Sequence, residues 1–191
     1  MTVEAPMRTS LEGMKFIVGR EALVTVAHVD GRHKSGPLAG QPKLSIGFGS
    51  QDPPPKEGDV ISINEAFERL QKNLDTRDET INKLLTVEVK QQEFDAMSSL
   101  FYQNGSMALK HVTSLFNEGK PIRAIWAFTE YPHGEDRVFS EGIAKRRARE
   151  MSMAFDGVYL DSEAFLYFDG QPRGPDKVAP RWMPFPDNLK R

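Results

Sequence analysis

The sequence predicts an α+β fold in which a small β-hairpin lobe precedes a larger, mainly helical lobe. The hairpin is indicated by a β-branched run at residues 23–29 and a glycine-punctuated apolar run at residues 44–49. The helical lobe is indicated by a capping-box pattern, Ser62-x-x-Glu65, followed by apolar residues at helical spacing. We therefore expect one domain over residues 1–155, β-rich over about 22–60 and helical over about 62–155.

The first elements follow from local signals. A helix should begin near Leu11, capped by Thr9 or Ser10. The first strand should start near Leu23 and be interrupted by the turn signal Asp30-Gly31. A polar loop then leads to the second strand, and the prolines at 53–55 end this region because they cannot donate to a sheet.

Glycine and proline divide the remaining chain. Breaks are expected at Gly105, at Gly119-Lys120-Pro121 and at Pro132-His133-Gly134. The helical segments between these breaks cover residues 63–85, 90–103, 106–117, 121–130 and 141–155. Aromatic residues at spacings typical of core packing are Phe94, Phe101, Trp126 and Phe128. Residues 156–191 contain five prolines without clear periodicity, so we expect an irregular extension packed on the domain.

The composition excludes several classes of partner and site. A formal net charge of −2 does not suit binding to nucleic acid or to an anionic membrane. The absence of cysteine excludes disulfides and thiolate metal sites. The first thirty residues carry charges every few positions, so neither a secretory signal nor membrane insertion is expected.

Two carboxylates and a hydroxyl form the candidate chemistry. Glu21 and Asp30 are separated by eight residues, and Ser45 lies on the next predicted strand. A helix followed by a hairpin can bring all three around one cleft. Glycosidic hydrolysis requires one protonated carboxyl group and one ionised carboxylate, which this pair can supply. On spacing alone, the favoured interpretation is a solvated helix-end charge at Glu21 and a turn-forming aspartate at Asp30.

Three motifs in order resemble the phage-type lysozymes, glycoside hydrolase family 24. The first is Glu21, Asp30 and residues 44–49, similar to the family's Glu, Asp and Thr-x-Gly-x-Gly strand. The second, residues 91–105, is similar to its Gln-x-x-Phe-Asp-Ala-Leu helix and Phe-Asn-x-Gly end. The third, residues 142–150, is similar to Gly-Leu-x-x-Arg-Arg-x-x-Glu.

The resemblance implies a lysozyme-like fold with the catalytic cleft between the two lobes. It also implies a peptidoglycan hydrolase (muramidase) that cleaves, with inversion, the β-1,4 bond between N-acetylmuramic acid and N-acetylglucosamine, with no cofactor. Glu21 would be the general acid, Asp30 would position water or steady the developing positive charge, and Ser45 would replace the family's threonine. His28, which stands where the family has tyrosine, Arg32 and Gln103 are expected to contact substrate.

The remaining polar clusters have less definite interpretations. Arg32, His33 and Lys34 could meet peptide carboxylates of peptidoglycan or form a solvated loop. His28 and His33 flank Asp30, but no third ligand is defined, so no metal site is expected. In the cluster around Arg146 and Arg147 we expect one arginine to point inward and the other outward. That cluster lacks interleaved aromatics, so we expect no nucleic-acid binding.

Two alternatives remain open. One is a non-catalytic cell-wall-binding or virion module that keeps the lysozyme fold. It is motivated by changes from the family pattern at Ala22, His28, Ser45 and Ser50 and by the fourteen residues between Asp30 and Ser45. The other is a lytic transglycosylase, whose anhydro product would be lighter by one water.

The expected setting also follows from the resemblance. We expect a monomer that remains in the host cytoplasm until a holin gives it access to the periplasm and cell wall, or that is carried in the virion.

Overall fold

The computed structural model describes residues 5–33, 36–134, 138–160 and 163–191, and the predicted α+β fold is confirmed. The helices of these residues are α1 (Leu11–Val18), α2 (Ile63–Leu84), α3 (Gln91–Asn117), α4 (Pro121–Trp126) and α5 (Glu141–Asp156), with a 3₁₀ turn at Ala127–Glu130. The strands are β1 (Ala22–Arg32), β2 (Pro42–Gly47), β3 (Ala164–Phe168) and β4 (Arg181–Pro184). No helix of the described ranges is long and apolar enough to cross a membrane.

The strands form one sheet in the order β2-β1-β3-β4. β1 and β2 pair antiparallel, which confirms the predicted hairpin. The predicted interruption at Asp30-Gly31 is wrong, because β1 continues to Arg32. Gly31 has a φ of 102°, a backbone conformation that residues with a side chain rarely adopt. The glycine therefore allows a bulge at this point, and the strand continues past it.

The prediction of an irregular extension over residues 156–191 is wrong in part. β3 pairs parallel with β1, and β4 pairs antiparallel with β3. The prolines of this segment lie outside β3, and Pro184 ends the edge strand β4, where a missing N–H is tolerated. The boundary at residue 155 stays a prediction.

The chain folds into two compact units. The helical unit comprises Met1–Ile17, Leu74–Ser162 and Leu189–Arg191, and the sheet unit comprises Val18–Asn73 and Glu163–Asn188. In the helical unit, α3 provides the centre of the core, and Phe94, Met97 and Leu100 are fully buried. The predicted break at Gly105 occurs as a kink within α3, where φ is 73°.

The aromatic residues predicted for the core divide into two groups. Phe94 and Phe128 are fully buried and Phe101 packs against the core, as expected. Trp126 is 52% exposed, so its assignment to the core is wrong. The reason is that α4 has only six residues and turns Ala124 and Ile125 inward, which leaves the next position facing solvent.

The core of the sheet unit is an aromatic cluster. The ring centroids of Phe48 and Phe67 are 5.0 Å apart, and those of Phe67 and Phe165 are 5.6 Å apart, both edge to face. Phe185 lies 5.5 Å from Phe165. Such contacts stabilise by about 0.5–1.5 kcal/mol each beyond area burial, and they attach β3 to the hairpin and to the start of α2.

Candidate active site

Glu21 lies in the short turn that joins α1 to β1. Its backbone N–H donates to the carbonyl of Val18 at 3.0 Å, and β1 begins at the next residue. The Glu21 side chain is half-buried. A general acid needs a carboxyl group that is partly shielded from water and still reachable by substrate, and half-burial meets both needs.

Asp30 lies on β1 and is exposed. The pairs Val29 with Leu44 and Arg32 with Pro42 enclose two residues on β1 and one on β2, so this position is a bulge. Bulges redirect side chains and are frequent beside functional sites. The hairpin therefore presents the Asp30 carboxylate to solvent, where it can act on a bound ligand.

His28 and Ser45 face each other across the hairpin. They are direct partners in the β1–β2 register, and Ser45 Oγ lies 3.4 Å from His28 Nε2. His28 Nδ1 lies 3.3 Å from the Val26 carbonyl, which can only accept, so this contact requires the proton on Nδ1. In the neutral ring, Nε2 then accepts from the Ser45 hydroxyl. Ser45 is fully buried and His28 is half-buried.

Arg32 has a structural contact that the sequence did not indicate. Its Nη1 donates to the Gly40 carbonyl at 2.6 Å across the loop between β1 and β2. The backbones of His33 and Gly40 also pair at 2.7 Å. Arg32 is exposed and carries further donors for a ligand. Lys34, grouped with these residues in the sequence analysis, lies outside the described residues.

Gln103 belongs to the helical unit and lines an open pocket of about 570 Å³. Its Oε1 accepts a hydrogen bond from Arg146 Nη1 at 2.8 Å, which fixes the amide and leaves its N–H₂ group as a donor. The pocket is lined by Gln103, Asn104, Met107, Ala108, Tyr131, His133 and Gly134.

Six of these seven pocket residues were not predicted as site residues. The sequence indicated only a helix break at Pro132-His133-Gly134, with nothing to connect it to Gln103. The Tyr131 hydroxyl lies 2.8 Å from His111 Nδ1, and burial, with a smaller effect of the Glu130 charge, raises the pKa of Tyr131. Tyr131 and His133 thus give this pocket a phenol hydroxyl and an imidazole, beside the exposed side chain of Met107.

The arginine pair departs from prediction. Arg146 is 4% exposed and Arg147 is 1% exposed, so both point inward, against the expectation of one inward and one outward. Both donate to Oε1 of buried Glu150, at 3.2 Å and 2.9 Å. The reason is helical spacing, because Glu150 is four residues from one arginine and three from the other.

Comparison with known proteins agrees with the motifs. The family model described as phage lysozyme matches residues 30–150. That segment contains Asp30, Ser45 and Gln103 and begins after Glu21, and it ends before β3 and β4. The endolysin of Bacillus phage B103 is 30% identical over 153 residues, which cover 79% of this chain. The chain spans only 55% of that relative's length.

Solved structures show the same fold. The endolysin from Escherichia coli O157:H7 phage FAHEc1 matches with a TM-score of 0.70 at 26% identity, covering 81% of this chain and 98% of that one. The muramidase domain of SpmX from Asticaccaulis excentricus matches with a TM-score of 0.65 at 22% identity, covering 78% of this chain and 97% of that one. The motifs, the matched segment and the shared fold together establish that the chain belongs to the phage lysozyme family.

Proposed function

We propose that this chain is a muramidase, a glycoside hydrolase that cleaves the β-1,4 bond between N-acetylmuramic acid and N-acetylglucosamine in bacterial peptidoglycan. The proposal depends on the polar side chains that residues 21–45 carry in a chain of the phage lysozyme family. That segment has a half-buried carboxyl group before β1, an exposed carboxylate at a bulge, and a hydroxyl paired with a histidine.

In the proposed mechanism Glu21 donates its proton to the glycosidic oxygen as the bond to the leaving sugar breaks. The Asp30 carboxylate stabilises the positive charge that develops on the ring and orients the attacking water. Water attacks the anomeric carbon from the face opposite the leaving group, which gives inversion, and the proton that this water loses passes to the Asp30 carboxylate. None of these steps requires a cofactor.

Ser45 and His28 would act on orientation. Because Ser45 is fully buried, we propose that its hydroxyl holds the His28 ring through Nε2. His28 lies two residues before Asp30 on β1, next to the bulge that contains Asp30. We propose that Arg32 contacts the substrate through the N–H groups that do not bind the Gly40 carbonyl. Gln103 would contact it through its side-chain N–H₂ group, since its oxygen accepts from Arg146.

The test compares the wild type with Glu21→Gln, which preserves shape and removes the acid. Purified peptidoglycan should be cleared by the wild type and not by Glu21→Gln, and mass analysis should find hydrated reducing muropeptides. Glu12→Gln is the matched control, because Glu12 is an exposed carboxylate that pairs with Lys15 on α1. Equal clearing by the wild type and Glu21→Gln would refute the assigned mechanism. No clearing by the wild type would favour a binding module, and anhydro products would favour a transglycosylase.

We also propose that the protein acts as a monomer on the bacterial cell wall, with access from the host cytoplasm provided by a holin. The support is the similarity to phage endolysins. Expression in a bacterial host should cause lysis only when a holin is co-expressed, and light scattering should give a mass of about 21.5 kDa. Lysis without a holin would contradict the proposed route.

A further inference from the structure

β3 and β4 extend the sheet beyond the segment that matches the family model. The match ends at residue 150, whereas β3 begins at Ala164. β3 pairs with the first residues of β1, where Leu166 is opposite Ala22. Because Ala22 directly follows Glu21, the added strands begin beside the proposed catalytic acid.

The added strands have two different faces. Phe165 is fully buried in the aromatic cluster and is opposite Met183 of β4. Leu166 points to the other face and is opposite Trp182. Paired residues share a face, so Ala22, Leu166 and Trp182 form a row across β1, β3 and β4 on the side away from the cluster.

This row is open to solvent at Trp182. Ala22 and Leu166 are half-buried, whereas Trp182 is 67% exposed. An indole offers a large apolar surface and one N–H donor, and such rings are enriched where a partner is bound. Exposure of this extent on a strand that is otherwise well anchored points to a ligand surface.

β4, the strand that carries Trp182, is attached to β3 by strand pairing and by two contacts of Arg181. The Arg181 guanidinium lies 5.1 Å from the ring centre of Tyr167 and donates to Asp169 at 3.0 Å. β4 pairs with β3 from Arg181 to Pro184. A platform that is fixed before binding loses less conformational entropy when the ligand binds.

We propose that Trp182 is a substrate-binding residue that stacks on a sugar ring of the glycan strand close to, but not at, the bond being cut. Two strand spacings separate Ala22 from Trp182, about 10 Å between Cα atoms. The occupant is a β-1,4-linked chain of N-acetylhexosamines, whose rings have C–H faces that pack on an indole and whose N-acetyl carbonyls accept its N–H. The inference rests on the proposed function, since it specifies how the same substrate is held.

The test uses the small number of tryptophans. The chain has two, so Trp126→Phe leaves Trp182 as the single indole reporter. In the Glu21→Gln background, titration with a soluble tetramer of β-1,4-linked N-acetylglucosamine should shift the Trp182 emission to the blue. Trp182→Ala in the same background should lower affinity for the tetramer by roughly three- to tenfold, the scale of one aromatic contact.

Kinetics on intact peptidoglycan provide the second readout. Trp182→Ala should raise KM by a similar factor with kcat unchanged, and Trp182→Phe should recover most of the loss. Trp126→Ala is the matched control, because Trp126 is also exposed and is not among the residues proposed to contact the substrate. The KM of this variant should equal that of the wild type.

The outcomes separate this inference from the proposed function. Unchanged emission on titration, or equal affinity of Trp182→Ala and its parent, overturns the role of Trp182 even if the wild type clears peptidoglycan. Failure of the wild type to clear peptidoglycan overturns the proposed activity, while a blue shift with the tetramer would still support the sugar-binding role. If Trp182→Ala fails to fold, the emission titration and Trp182→Phe decide.

Discussion

Replacing Glu150 with glutamine should lower the free energy of unfolding by about 3–5 kcal/mol, because it removes one charge from a buried ionic cluster. Glu150 is fully buried, and its Oε1 accepts from Arg146, from Arg147 and from Ser99 Oγ at 2.5 Å. Glutamine keeps the volume of the side chain. Burial raises the pKa of Glu150, and the charges of Arg147 and Arg146 oppose this rise. Above that pKa, glutamine removes the carboxylate that the two buried guanidinium groups share.

The assay is urea unfolding followed by circular dichroism, with the free energy extrapolated to water. The same loss should lower Tm by roughly 6 °C or more. Glu141→Gln is the matched control on the same helix, because the Glu141–Lys145 pair is exposed and should contribute about 0–1 kcal/mol. If the two variants lose the same free energy, the reasoning from burial is wrong.

Three further predictions concern single sites. Gly13→Ala should lose about 1–3 kcal/mol in urea unfolding, because the new Cβ would lie 2.6 Å from Asp95 Cγ. Gly142→Ala, whose nearest atom would be at 3.8 Å, should gain about 0.5 kcal/mol, and a loss at both glycines would contradict the steric argument. Burial raises the pKa of Asp95, and this effect outweighs the hydrogen bonds that lower it. The contribution of Asp95 to stability is therefore greatest at low pH and is lost as pH rises through the pKa of Asp95 in the folded protein. Between about pH 4 and 7, the free energy of unfolding of the wild type should fall relative to that of Asp95→Asn as pH rises. A difference between the two proteins that does not change with pH would exclude this titration. Ser45→Ala should lower the initial rate of peptidoglycan clearing by up to about tenfold without unfolding the protein, and an unchanged rate would remove the hydroxyl from the proposed mechanism.

Local signals in the sequence predicted the elements that depend on neighbouring residues. The Ser62-x-x-Glu65 pattern marks the start of α2, where the Glu65 N–H donates to Ser62 Oγ at 3.1 Å. The kink at Gly105 and the hairpin of β1 and β2 follow from glycine conformation and from β-branched residues. Each of these features is decided within a few residues, so one sequence is enough to find it.

The candidate site could be predicted only as a set of residue types in order. The sequence indicated Glu21, Asp30 and Ser45 from their spacing and motif. It gave no indication that Ser45 is fully buried against His28 or that Asp30 lies at a bulge, because both depend on the strand register. Register is set by cross-strand packing rather than by either strand alone.

By itself, the sequence determined the α+β class, the helix boundaries near capping residues, and the motifs that identify the family. Only the tertiary structure decided that β3 pairs with β1 across more than 140 residues, and that Arg146 and Arg147 converge on Glu150. The physical reason is the range of the forces involved. Capping and turn conformation act between neighbours, whereas strand pairing and charge burial depend on which surfaces the folded chain brings together.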